Sequence, residues 1–439
     1  MIYFIPTILI VIYAFLFIYK QKGLTIVQMF VLISVSYLNI FPAIDILYNN
    51  EDSLYYFSIY QLIISIFFEI PLLVVLTLFL RKTEKKSPIF FLDVRLNPIV
   101  PYILFLNLGL FLFISWRYDL FFVRLGYADF QYTSENTPFI FLYFYRSSVE
   151  TSFFVILFLT FCLRYTAPNL LHRNIYRACL ISFLIVFTAF YAVNSRMQFV
   201  LLMLVLVGTN PNFDLASFKR IASIGLSVLG VAILLTLARE LYIEQNDRLE
   251  AGATFALLQQ TIGLIAARLN SVVMINRVGA YGFDPFGIDL SGLIHFLKFN
   301  LAFFNNAQLY AEIKSSELTS PSVVIVNRIL YIKAVDFPKS MIVDVFLSFG
   351  VYGLSVLSLI IGYIISKVQT HVTPTNGFTF SFIASLYLIP ILLQFEKEFL
   401  GFLISCVKWV PLLFVLYWFR PKQSVALRNK IHRDAYRPV

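Results

Sequence analysis

The sequence is poor in charge. Asp, Glu, Lys and Arg make up 13% of its 439 residues, and 59% are hydrophobic. A soluble globular chain carries roughly 25% charged residues, so the polar surface of a water-soluble fold is not there to be built. Cysteine is scarce as well. Cys162, Cys179 and Cys406 lie inside or at the edge of apolar runs, which argues against disulfides and for inert, packed thiols. Metal signatures are missing: there is no H-E-x-x-H, no Cys/His cluster and no D-x-D-like pair in a loop. Nucleotide fingerprints are missing too, with neither a P-loop nor G-x-G-x-x-G. No cofactor and no metal are therefore expected. No Gly/Ser linker, low-complexity run or internal repeat marks off a soluble domain.

What the chain does have is apolar length and aromatic rings, with 48 Phe and 26 Tyr. Crossing a bilayer takes about 20 mostly apolar residues. Candidate spans are 2–19, 24–48, 55–80, 98–115, 147–163, 177–193, 197–210, 221–238, 341–366, 376–394 and 399–419. The expected fold class is therefore an all-α integral membrane protein of about 11 or 12 transmembrane helices. The runs are continuously apolar rather than alternating, which excludes barrel strands. The first run is too long for a cleaved signal peptide, and Lys20 and Lys22 follow it rather than precede it.

The net charge of +10 raises nucleic acid as a partner. The bases are spread in short clusters between apolar runs, as positive-inside topology requires, so no nucleic acid is expected. Lys20 and Lys22, then Arg81 to Lys86, then Arg164, Arg173 and Arg177, then Lys219-Arg220 and Lys367 fall on alternate connections. The tail adds Arg420, Lys422, Arg428, Lys430, Arg433 and Arg437. This alternation implies a cytoplasmic C-terminus. The expected organisation is a bundle of spans over 1–238, an exported loop over 239–340, a second bundle over 341–419 and a basic tail over 420–439.

The long loop has structure of its own. Phe255, Leu258, Ile262, Ile265, Leu269 and Val272 recur at helical spacing, which predicts an amphipathic helix lying along the membrane rather than through it. Gly279 to Gly292 is rich in turn residues, and Ile294 to Phe304 is an apolar stretch that suits a short re-entrant or interfacial helix.

Ionisable groups at membrane depth are costly and mark function by default. Asp45, Glu69 and Lys408 lie within expected spans, Asp344 opens one, and Glu396 and Glu398 precede one. For Asp45, Glu69 and Lys408, a helix-packing pair or a water-filled cavity is the plain alternative. Arg196, Arg239, Arg268, Arg277 and Arg328 all map to the exported face, where positive charge is sparse. A guanidinium fork suits phosphate or pyrophosphate; the plain alternative is a lipid phosphate or a neighbouring carboxylate. His295 is the one histidine placed outside and is a candidate proton acceptor, although a lone His in an apolar stretch also suits a structural role. Glu240 adjoins Arg239.

Asn194-Ser195-Arg196-Met197-Gln198 opening a span, Leu237-Ala238-Arg239-Glu240 closing one, the long loop, Ser320-Pro321-Ser322, and Asp344 to Gly353 with its Phe349-Gly350 and Gly353 together resemble the O-antigen polymerase family (Wzy), the oligosaccharide repeat unit polymerases. The resemblance covers the architecture of the whole chain through short motifs. It implies a metal-independent glycosyltransferase of a bacterial inner membrane, working in lipopolysaccharide or other polysaccharide biosynthesis. Such an enzyme moves a growing glycan from undecaprenyl pyrophosphate onto a lipid-linked repeat unit. Its partners would be that lipid-linked oligosaccharide and the bilayer, with room for a chain-length regulator. Arg196, Arg239 and Arg268, with Arg277 and Arg328, would bind pyrophosphate or glycan, and His295, with Glu240 behind it, would be the base. A flippase for the same lipid-linked sugar and an O-antigen ligase are the alternatives.

Overall fold

The computed structural model describes residues 5–19, 26–49, 54–80, 94–118, 120, 137–166, 172–194, 201–202, 205–206, 275, 278–279, 281–294, 297, 325–326, 328–329, 340–372, 378–393, 406, 410–420 and 422–423. The chain divides into two compact units. Met1–Glu84, Leu229–Ser366 and Leu392–Ser405 form the first; Lys85–Val228, Lys367–Ile391 and Cys406–Val439 form the second.

The described residues are helical almost throughout. In the first unit, α1 is Ile5–Tyr19. Helix α2 runs over 26–49 and α3 over 54–80, and each is interrupted by one π-helical turn, Ser36–Ile40 and Ser65–Glu69 respectively. In the second unit, α4 is Ile99–Arg117, α5 is Phe139–Tyr165 and α6 is Arg173–Asn194. Helix α7, Met341–His371, belongs mostly to the first unit. Helices α8, Phe380–Leu392, and α9, Val410–Trp418, follow. A two-residue antiparallel pairing, Val94–Arg95 with Lys422–Gln423, joins two connections within the second unit.

Among the described residues, five helical stretches are long and apolar enough to cross a membrane: Ile26–Ile46, Ile59–Phe79, Ile99–Arg117, Ser147–Tyr165 and Met341–His371. Their exposed faces explain why. On α3, Ile59, Leu62, Ile66, Ile70, Val74 and Leu78 are all exposed, at the spacing of one helical stripe. Ile99, Tyr102, Ile103, Leu106, Leu110 and Phe113 do the same on α4, as do Tyr352, Val356, Leu359, Ile360 and Tyr363 on α7. In water such continuous apolar stripes would drive association; against acyl chains they are at rest. Trp116 and Trp418, near the ends of α4 and α9, are the most exposed rings and suit the headgroup level.

Two described boundaries depart furthest from the expected spans. Helix α5 begins at Phe139, well before residue 147, because Pro138 in an extended conformation (ψ 134°) starts it there. Helix α7 continues to His371, past residue 366. The expected spans 221–238 and most of 197–210, and the amphipathic helix over 255–273, lie outside the described residues.

Both π-turns have a covalent cause. Each ends two residues before a proline: Ile40-Phe41-Pro42 and Glu69-Ile70-Pro71. Proline lacks the N–H for an i→i−4 bond, and its ring presses on that carbonyl. A single wider turn relieves the pressure, with Phe41 N–H bonding back to the Ser36 carbonyl and Ile70 N–H to that of Ser65.

In the second unit α4, α5 and α6 pack on one another through rings. Phe111 stacks on Tyr145 at 5.1 Å, meets Phe187 at 5.0 Å and meets Phe190 edge-on at 6.5 Å. The Tyr145 hydroxyl donates to the Leu120 carbonyl at 2.9 Å, so the polar tip of a buried ring is satisfied.

Candidate functional site

A folded loop over 278–294 meets the start of α7 in the first unit. Its first turn closes by Gly282 N–H to the Gly279 carbonyl and Phe283 N–H to that of Val278. Gly282 sits at φ +83°, a conformation glycine adopts without strain. The Asp284 carboxylate accepts the Phe286 N–H at 2.9 Å and its carbonyl accepts the Gly287 N–H at 3.1 Å, the self-bonding for which Asp suits turns. Asp289 repeats the device, accepting the Ser291 N–H at 3.0 Å where a helical turn begins.

This loop is attached to α7 by backbone. Asp289 N–H donates to the Ser348 carbonyl and Val351 N–H to the Pro285 carbonyl, both at 2.9 Å. The attachment needs α7 to break at Gly350, which lies at φ +58°, ψ −151°. A Cβ there would strike the Pro285 carbonyl and stand 2.8 Å from that of Gly287. Glycine is thus required twice, by dihedral and by space. Tyr60 of α3 props the same loop. Its hydroxyl donates to the Phe283 carbonyl at 3.3 Å, its ring lies edge-on to Phe346, and a Cβ on Gly279 would run into that ring. Helix α7 itself starts at Ser340, whose hydroxyl accepts the Val343 N–H at 3.2 Å, an N-cap. Asp344 is buried in its first turn, where an acid suits the helix dipole.

Arg328 is the expected site residue that the structure describes. Its guanidinium pairs with the Asp289 carboxylate and donates to the Ser291 hydroxyl at 3.1 Å. Its side chain is still 55% exposed. Burial pushes the Asp289 carboxyl up, but the Ser291 bonds and Arg328 outweigh it and hold the group below its ordinary value. Arg196, Arg239, Arg268, Arg277, Glu240 and His295 lie outside the described residues, as do Glu396, Glu398 and Lys408. So do Ser195 to Gln198, Leu237 to Glu240 and Ser320 to Ser322.

A second polar cluster lies between α2 and α3. Asn39 Nδ2 donates to Glu69 Oε1 at 2.5 Å, Gln61 Nε2 donates to Asn39 Oδ1 at 2.6 Å, and the Ser65 hydroxyl donates to Glu69 Oε2 at 3.0 Å. All four residues are buried. Glu69 is named by the sequence as an ionisable group in a span. Its partners are missed, although Gln61, Ser65 and Glu69 fall at i, i+4 and i+8, on one helix face, and that spacing is the signal that finds them. Asp45 is also buried.

Among the described residues no group of three or more His, Cys, Asp or Glu side chains converges as a metal site. Comparison with known proteins finds no matching family model, no matching curated protein and no matching solved structure.

Proposed function

We propose that the chain is a membrane-embedded polysaccharide polymerase of the O-antigen or capsule type. It transfers a growing glycan from undecaprenyl pyrophosphate to a lipid-linked repeat unit at the exported face. One observation supports the reading more than any other. Arg328, an arginine assigned to substrate, is anchored by Asp289 to the Ser291 turn, and in the sequence that turn runs directly into His295, the assigned base. The turn is in turn fastened at Gly350, within the Asp344 to Gly353 segment on which the resemblance rests.

The chemistry is a displacement at the anomeric carbon. The bond from that carbon to the pyrophosphate oxygen breaks, and a bond to the acceptor hydroxyl oxygen forms. The hydroxyl proton passes to His295, with Glu240 behind it. Undecaprenyl pyrophosphate departs with the electron pair, its charge stabilised by Arg196, Arg239 and Arg268 in a poorly solvated cleft. Arg277 and Arg328 bind glycan or phosphate at its rim. Arg196 follows Asn194-Ser195 in the sequence, at a short connection between two expected spans. A buried cation there needs an anionic partner.

Deletion of the gene followed by glycan sizing tests the reading. Single-repeat glycans support the polymerase, absent surface glycan supports a flippase, and long unattached chains support a ligase. Arg196→Ala at matched expression is expected to abolish polymer, and Arg196→Lys to impair it, because an ammonium lacks the bidentate fork. Normal polymer length from Arg196→Ala removes Arg196 from the site. The flippase reading has its own observation, the carboxylate of Glu69 deep in a span.

A further inference from the structure

Glu69 stands at the centre of the apolar stretch Ile59–Phe79. Ten residues of helix on either side place it about 15 Å from each end. It is 2% exposed. Its two oxygens are met by neutral groups, the Asn39 amide and the Ser65 hydroxyl. Among the described side chains, the other titratable groups on α1, α2, α3 and the first-unit part of α7 are Tyr13 of α1, Tyr37 and Asp45 of α2, Tyr60 of α3, and Asp344, Tyr352 and Tyr363 of α7. None of these is basic, and none is among the hydrogen-bond partners of Glu69.

A carboxylate at this depth with no basic partner among the described residues is expensive enough to be neutralised rather than left bare. Yet its surroundings are built for it. Two helices each widen by a π-turn at this level, a rare element that concentrates at functional sites, and Asn39 and Glu69 are carried by those two turns. Gln61 completes the chain, and its carbonyl Oε1 is buried with no hydrogen-bond partner among the described residues. A buried amide oxygen without a partner is a costly vacancy in its own right. It is also the atom type that binds a cation or accepts a proton-borne hydrogen bond.

We propose that Asn39, Gln61, Ser65 and Glu69 form an intramembrane site for one monovalent cation, a proton or a sodium ion, held on the Glu69 carboxylate. Both ions fit the same oxygen chemistry. With a proton on Oε2, the Ser65 contact persists with its direction reversed, because a hydroxyl accepts as well as donates. With the proton on Oε1, both amides turn over. Asn39 then accepts from Glu69 and donates to Gln61, and the unpartnered Oε1 of Gln61 becomes the acceptor. With sodium, the carboxylate and amide oxygens are hard ligands of the right kind. The site does not depend on the polymerase reading, which requires no ion.

Infrared spectroscopy of the purified full-length protein in lipid nanodiscs, wild type against Glu69→Gln, tests it. Both proteins are measured at neutral pH in sodium buffer and in choline buffer. A protonated-carboxyl band present in wild type, lost in Glu69→Gln and indifferent to sodium identifies the proton. No such band, with a wild-type unfolding midpoint that falls in choline while that of Glu69→Gln stays fixed, identifies sodium. Identical spectra in the carboxyl region together with identical responses to sodium overturn the proposal and leave Glu69 balanced by a basic side chain. If Glu69→Gln does not accumulate, Ser65→Ala serves. It moves the acid band to the frequency of a less hydrogen-bonded acid, or shrinks the sodium-dependent shift. No change in either overturns the proposal as well.

Discussion

Ser115 in α4 and Asn39 in α2 are both fully buried polar residues of apolar helices, and they find their hydrogen bonds in opposite ways. The Ser115 hydroxyl donates to the Phe111 carbonyl one turn back at 2.6 Å. Thr151, Thr166 and Ser385, also in the second unit, bond back to Ser147, Cys162 and Ser381 in the same manner. Such a side chain asks nothing of a neighbouring helix. Asn39 has too many polar atoms for that, and it spans from α2 to Gln61 and Glu69 of α3. Among the described residues, α4, α5 and α6 of the second unit meet mainly through rings, whereas α2 and α3 of the first share a polar cluster and α7 takes up its loop through a glycine contact that tolerates one geometry. Regular α4–α6 and interrupted α2, α3 and α7 are the backbone expression of that difference.

The largest effect that tests this contrast is expected at Gly350. Forcing a non-glycine residue into its conformation costs about 1–3 kcal/mol. Crowding against the Pro285 and Gly287 carbonyls adds overpacking of similar size, for a total on the order of 4 kcal/mol. Gly350→Ala should lower the thermal midpoint in detergent and open 279–292 to protease. Unchanged proteolysis would show that the loop does not depend on the break in α7. Next comes Phe111→Ala in the second unit, which leaves a cavity among Tyr145, Phe187 and Phe190 worth about 3 kcal/mol. Because the contacts among these four rings fix no single geometry, the unit should loosen without losing its helices, which circular dichroism beside the melt would show.

The third test sets the two polar residues against each other. Asn39→Leu strips Glu69 and Gln61 of partners and should cost about 1–3 kcal/mol, the penalty of unsatisfied buried groups. Ser115→Ala removes a bond its helix already makes elsewhere and should stay within about 0.5 kcal/mol. Equal losses on chemical unfolding would dissolve the distinction between the units.

The sequence makes the helices legible because lipid-facing stripes are apolar without interruption, so α3, α4 and α7 stand out as runs. The turn-rich stretch 279–292 is legible from Asp284-Pro285 and its glycines. The pairing of Val94–Arg95 with Lys422–Gln423 is not legible, because two residues are too few to show a strand period. The start of α5 at Phe139 is not legible from hydropathy, because Tyr and Arg dilute its first turns although Pro138 marks them. The clasp of Arg328 by Asp289 is hidden for a different reason. Thirty-nine positions separate the two, and nothing local to Asp289 distinguishes it from an ordinary turn aspartate. Pro42 and Pro71 mark where the π-turns fall, but proline alone does not predict them, since Pro390 lies inside α8 without one.

The smallest effect concerns that clasp. The Asp289 carboxyl is held below its ordinary value of 3.8 by the Ser291 bonds and by Arg328. A depressed folded-state value means that the native loop favours the ionised form. Its contribution is therefore complete above the unfolded value and is lost as pH falls through the lower, folded one. The window lies below about 4, so at neutral pH the clasp is fully formed. Its size is limited because Arg328 is more than half exposed, and exposed pairs of this kind contribute at most about 1 kcal/mol. Asp289→Asn should then cost little at neutral pH and remove that part of the acid sensitivity. Hydrogen exchange at the Asp289, Ser291 and Ile294 amides reads the loop directly, and protection there in wild type should fall on acidification while that of the Ser348–Val351 segment falls less. Equal acid sensitivity of these amides in wild type and Asp289→Asn would show that the loop is held by its backbone bonds to Ser348 and Val351 alone, which would make the first unit's glycine break, rather than its charges, the feature that distinguishes it.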